Sequence, residues 1–176
     1  MKATGIVRRI DELGRIVIPK ELRRTFRIKE GSPLEIFIGD DGELILKKYS
    51  QLVDISYFAK EIVESIYQTL NCTAIIFDND TFISGSGSGV KTYIGNQITY
   101  QLEKIIMERQ VVIKNKNDLV KLSDNDIEIK SQLISPIVSN GDVCGGIILL
   151  SKMQDFKEED IKVVKTMINF LVKQIS

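Results

Sequence analysis

Arginine is the residue type in this chain whose number and spacing suggest the most specific chemistry. Six arginines fall between positions 8 and 27: Arg8, Arg9, Arg15, Arg23, Arg24 and Arg27. A guanidinium is a permanently charged, planar fork of N–H donors that matches phosphate oxygens. With Lys2, Lys20 and Lys29, residues 1–29 hold nine basic groups against three acids (Asp11, Glu12 and Glu21), a local charge of +6. The whole chain of 176 residues is formally neutral, so this charge is segregated. A positive patch on a small fold is the footprint of a phosphate-backbone binder and points to nucleic acid. The other use of such arginines is solubility, or surface ion pairing with Asp11, Glu12 and Glu21, and such pairs contribute little.

Other chemistries find less support. The chain has no histidine, which removes Ser-His-Asp and Cys-His catalysis and every His-ligated metal site. Cys72 and Cys144 sit in apolar runs and read as buried, reduced thiols. A redox sensor would need a lowered pKa or a nearby resolving thiol, and the sequence shows neither. The segment Gly85-Ser86-Gly87-Ser88-Gly89-Val90-Lys91-Thr92 approaches a phosphate loop but fails by one position. The motif has glycine directly before the lysine, where Val90 stands. The segment reads instead as a flexible loop, or as a non-hydrolytic small-ligand site whose glycines allow close backbone approach. The expectation is a protein that is not an enzyme and has no cofactor, with no ligand residue assigned.

The elements that must position the arginines are short. Residues 4–10 and 15–18 are rich in β-branched side chains and flank the loop Asp11-Glu12-Leu13-Gly14, so two strands are expected. Pro19 suits the first turn of a helix over Lys20 to Arg27, with Leu22 and Phe26 on one face. Runs at 34–38 and 43–47, joined by Gly39-Asp40-Asp41-Gly42, read as a hairpin. Such a unit of about fifty residues buries too little surface to be stable alone, and an intertwined dimer is the natural remedy.

After Ser50 the pattern changes, dividing the chain into domains at 1–50 and 51–176. Residues 54–70 predict an amphipathic helix with Asp54 as its N-cap. Strands are expected at 73–77, 81–84, 111–114, 132–138 and 143–150, with helices over 97–109 and 157–175. That order describes an α/β domain with a mostly antiparallel sheet. In the last helix Ile161, Val164, Ile168, Leu171 and Ile175 form a heptad-like seam, which serves either its own sheet or a partner helix. Residues 51–176 carry 13 basic and 16 acidic groups against 11 and 8 in the first fifty, so nucleic-acid contact is assigned to the first domain. No apolar run reaches membrane-spanning length, and Met1–Gly5 lacks a signal-peptide core. A cytoplasmic, nucleoid-associated protein with no membrane partner is expected.

The stretch Lys2-Ala3-Thr4-Gly5-Ile6-Val7-Arg8-Arg9-Ile10-Asp11-Glu12-Leu13-Gly14-Arg15-Ile16-Val17-Ile18-Pro19-Lys20-Glu21-Leu22-Arg23-Arg24 closely resembles the N-terminal domain of AbrB-type transition-state regulators. Leu34-Glu35-Ile36 and Ile45-Leu46-Lys47-Lys48-Tyr49 match as well, so the resemblance covers residues 1–50 nearly without gaps. Chain length and the second domain look most like sporulation regulators in which a GAF-like domain follows the AbrB-type domain. The resemblance implies a swapped-hairpin β-barrel made by two chains, with one short helix per chain and double-stranded promoter DNA across the dimer face. It implies DNA contact for Arg8, Arg15, Arg23 and Arg24, all present unchanged. Arg9 and Lys2 are added on charge alone. A homotetramer joined through the second domains and their flanking helices is also implied, with an unidentified small-molecule or protein effector. The function expected is shape-reading activation and repression of sporulation genes. The competing expectation is an antitoxin-like swapped barrel fused to a small-molecule-binding domain. Antitoxins usually carry a disordered toxin-binding tail where this chain continues into a folded domain.

Overall fold

The computed structural model describes residues 4–124 and 126–175. The chain divides into two compact units, one ending at Tyr49 and the other beginning at Ser50.

In the first unit, helix α1 (Lys20–Thr25) is two residues shorter than expected, and Pro19 is its N-cap rather than its first helical residue. It stops because Arg27 takes a left-handed φ of 51°. Ile28 N–H then donates to Arg23 O at 2.7 Å and Arg27 N–H to Arg24 O at 3.2 Å, the paired bonds of a Schellman ending. Strands β1 (Leu34–Ile38) and β2 (Leu44–Lys48) pair antiparallel, with Ile36 opposite Leu46. Gly39 N–H closes the turn on Glu43 O at 2.8 Å.

The strands expected at 4–10 and 15–18 do not form. β-Branched side chains favour an extended backbone, but a strand also needs a neighbour for its N–H and C=O groups. Among the described residues no segment of this chain supplies one. The barrel implied by the family resemblance is therefore not closed within one chain. Pro19 is the only buried residue among those described in this unit. Val7 is 85% exposed and Ile38 83%, values foreign to a finished β core.

The second unit is built differently. Helices α2 (Gln51–Asp54) and α3 (Ser56–Leu70) replace the single helix expected from 54. Leu52 is fully buried in the core, which draws the chain into an extra turn before the break at Ile55. Asp54 consequently ends α2 instead of capping α3. Strands β3 (Thr73–Asp78), β4 (Phe82–Ser86), β5 (Val112–Asn115), β6 (Ser131–Ser139) and β7 (Asp142–Ser151) form one antiparallel sheet in the order β4-β3-β7-β6-β5.

Both faces of that sheet are covered, so its central strands are buried along most of their length rather than alternating. Ala74, Ile76, Leu133, Ile147 and Leu149 pack under α3 and α5 (Glu158–Ile175). Ile75, Phe77, Ile134, Ile148 and Leu150 face Leu102 and Ile106 of α4 (Tyr100–Met107). Helix α4 begins one residue after Thr99, whose Oγ1 accepts the Leu102 N–H at 3.3 Å. The heptad-like seam of α5 serves its own sheet: Val164, Ile168 and Leu171 are buried there.

The connection between β5 and β6 is tied to the sheet by Gln132, which is 1% exposed. Its Oε1 accepts Val120 N–H at 2.7 Å and its Nε2 donates to Val120 O at 2.8 Å. Gln132→Met keeps the side-chain length and leaves both buried backbone groups of Val120 without partners. The expected loss is about 1–3 kcal/mol of unfolding free energy, read from the urea midpoint. An unchanged midpoint would mean that water takes over both bonds.

Candidate nucleic-acid interface

A single carboxylate organises the first arginine site. Asp11 Oδ1 accepts the backbone N–H of Leu13 at 3.0 Å and of Arg15 at 2.8 Å. Asp11 Oδ2 accepts Arg15 Nε–H at 2.8 Å. Asp11 N–H donates back to Arg15 O at 3.1 Å, and Gly14 N–H to Asp11 O at 3.0 Å. Asp and Asn favour turns because their short side chains bond the backbone just ahead. Gly14 supplies the positive φ of 76° that the reversal needs. Arg15 is thereby held on an ordered turn while its side chain stays 70% exposed. Sequence reasoning placed Asp11 in the loop and as a competing ion-pair partner, without this positioning role. The Asp-x-x-Gly-Arg spacing of an Asx turn is the signal that reveals its positioning role.

Arg8 and Arg9 are exposed on the segment before this turn, and Arg23 and Arg24 are exposed in the last turn of α1. Lys2 lies outside the described residues. The same unit holds an open, mainly apolar trough of about 490 Å³. Ile16, Val17, Leu22, Phe26 and Leu46 line it, and Arg8 stands among its polar lining. Leu22 and Phe26 do share a face, but that face borders the trough and Phe26 remains 55% exposed.

The glycine-serine segment of the second unit meets protein rather than an open phosphate cradle. Gly85 and Ser86 belong to β4. A Cβ on Gly85 would lie 2.2 Å from Val90 Cγ2, one on Gly87 2.7 Å from the Thr73 Cα, and one on Gly89 2.5 Å from Ile127 Cγ2. Close packing of neighbouring residues accounts for all three glycines. Cys72 is buried, and desolvation pushes its thiol up to about 12. Cys144 is only half-buried, contrary to expectation; it donates to Gln51 Oε1 at 3.0 Å, and burial raises its pKa. Neither thiol has the lowered pKa of a reactive cysteine. Among the described residues no three His, Cys, Asp or Glu side chains are grouped to hold a metal ion. No described helix is long and apolar enough to cross a membrane.

Comparison with known proteins adds to this geometry. Residues 54–176 match the family described as stage V sporulation protein T C-terminal, transcription factor. Residues 7–54 match the family described as antidote-toxin recognition MazE, bacterial antitoxin. The chain is 46% identical over 176 residues to stage V sporulation protein T of Bacillus subtilis (strain 168), covering 99% of each. Over 49 residues, 28% of this chain and 50% of the relative, it is 65% identical to the transition state regulatory protein AbrB of the same organism. The GAF domain of an Acinetobacter phosphoenolpyruvate-protein phosphotransferase aligns over 73% of this chain and 84% of its own length. Its TM-score is 0.59 at 14% identity, which establishes a GAF fold for the second unit.

The Arg15 N–H and guanidinium hold the Asp11 carboxyl below the usual aspartate range. A depressed folded pKa means that the turn keeps this support above the unfolded pKa of Asp11 and loses it as pH falls through the folded value. Carboxyl-carbon NMR titration is expected to place Asp11 low in the native protein and partway back in Arg15→Ala, which retains the backbone N–H. Equal midpoints would show that the guanidinium adds nothing to the turn.

Proposed function

The chain belongs to the stage V sporulation protein T family of transcription factors, and from that premise we propose that it binds double-stranded promoter DNA through Arg8, Arg9, Arg15, Arg23 and Arg24. Lys2 completes the set on charge. The observation that carries this reading is a set of exposed arginines on a unit that is 65% identical to AbrB over 49 residues. Arginine neutralises phosphates and releases their counterions, so affinity should fall steeply with salt. Phosphate contacts fix position without reading sequence. Helix α1 has six residues, too few to lie along a major groove as a recognition helix. Discrimination then comes mainly from the shape and bendability of the DNA.

Two chains complete the DNA-binding head. The open trough, the exposed apolar side chains around it and the unladdered segments 4–10 and 15–18 support a swapped-hairpin barrel closed by a second copy. Tyr57 and Phe170, exposed on α3 and α5 at 70% and 49%, support a further contact that joins two dimers into a tetramer. Paired heads would engage spaced sites with avidity. The protein activates some sporulation genes and represses others, in the cytoplasm and on the nucleoid, with no catalytic activity of its own. Its GAF unit joins the copies and responds to an effector. The sheet face beneath α4 is filled by the T-shaped contacts Phe77–Phe82 and Phe82–Tyr93, which favours assembly or a protein effector over a small molecule at that face. The antitoxin likeness of residues 7–54 supports a second reading, in which this head docks a toxin.

Arg23→Ala and Arg24→Ala in the full chain are expected to abolish promoter binding in a mobility shift at fixed salt. Light scattering should return the wild-type mass for both. Retained affinity would overturn the assignment. In the wild type the same light scattering should read four chains, and a dimer would remove the α3/α5 contact from the scheme.

A further inference from the structure

Arg15 is presented differently from the other arginines assigned to DNA. Asp11 Oδ2 accepts its Nε–H at 2.8 Å, and Asp11 Oδ1 is taken up by the backbone N–H groups of Leu13 and Arg15. The inner edge of the guanidinium is therefore occupied. Among the described residues neither terminal Nη group has a partner, and the side chain is 70% exposed. What Arg15 offers is an end-on fork of two Nη groups whose swing the Nε bond restrains. Arg8, Arg9, Arg23 and Arg24 have no carboxylate partner among the described residues.

That difference bears on what the fork can meet. The Asp11 carboxylate cancels much of the charge of Arg15 at a distance and repels a phosphate brought against the same guanidinium. A guanine edge has no net charge to be repelled. It presents two acceptors, O6 and N7, to the major groove at the spacing of a bidentate arginine. We propose that Arg15, buttressed by Asp11, reads a guanine edge in the major groove, so that one base is recognised directly by a head that otherwise reads DNA shape. The proposal rests on the DNA-binding reading above. Arg15 is the specificity-determining residue and Asp11 the positioning residue behind it. The turn suits that role: Asp11 N–H also donates to Arg15 O at 3.1 Å, so backbone and side chain are both ordered before DNA arrives.

The test uses the full chain. The wild type first selects duplexes from a pool with a randomised centre. Each preferred guanine is then replaced by 7-deazaguanine, which keeps Watson–Crick pairing but lacks the N7 acceptor, and the two versions are compared by fluorescence anisotropy. At one position the wild type is expected to bind the guanine version several-fold more tightly. Asp11→Asn keeps the Oδ1 acceptor of the turn but places a donor where Oδ2 stood. It narrows that ratio although it removes a negative charge from the DNA-binding unit, and it binds the 7-deazaguanine version at least as tightly as the wild type does. A purely structural role for Asp11 would instead weaken both versions together. Arg15→Ala, assayed at lower salt where phosphate contacts strengthen binding, binds both versions alike. A wild type that selects duplexes yet tolerates 7-deazaguanine everywhere would overturn the proposal and leave the DNA reading intact. An unchanged ratio in Asp11→Asn or in Arg15→Ala would overturn it as well. Recovery of no duplex by the wild type would remove both readings.

Discussion

A segment holds one shape only when the apolar surface it buries offsets the conformational entropy lost in ordering it. This chain distributes that burial very unevenly. In the second unit a five-stranded sheet is covered on both faces, and its central strands carry fully buried aliphatic side chains on each. In the first unit Pro19 alone is buried among the described residues. The trough, the unladdered β-rich segments and the exposed Phe26 all follow from that deficit. The exposed arginines lie on the same incompletely closed unit, where water still screens their charge.

Charge follows a second division. The first fifty residues have an excess of bases and the remainder an excess of acids, although the total cancels. Within the cationic segment Asp11 looks like a loss of positive potential. The geometry gives it another purpose: three accepted bonds shape the turn and hold Arg15 in place. One negative charge is exchanged for a preorganised guanidinium, which loses less rotamer freedom when it meets an anion.

The glycine-serine segment shows how far residue type alone can mislead. Its composition suggests a phosphate cradle or close ligand approach. In the folded protein Thr73, Val90 and Ile127 already occupy the space beside its glycines. The heptad-like seam of α5 resolves similarly: its period signals an apolar face, while the sheet beneath claims Val164, Ile168 and Leu171. At 14% identity to a solved GAF domain, the shared feature is the layered architecture rather than particular residues.

What the sequence by itself determined is local. β-Branched runs bounded by turn residues located the β1–β2 hairpin and the five strands of the sheet, because extended backbone and turn chemistry are set within a few residues. The segregation of arginines and the match to AbrB-type regulators were equally legible. Helix ends were less so: the stop at Arg27 defies the usual preference for glycine, and the break at Ile55 follows from burying Leu52. Tertiary structure alone decided which apolar face found a partner, why the loop glycines are needed, and that residues 4–10 and 15–18 have no ladder within the chain. A hydrogen-bond partner or a packing surface is a distant stretch of chain, or another chain, and no short-range pattern encodes which.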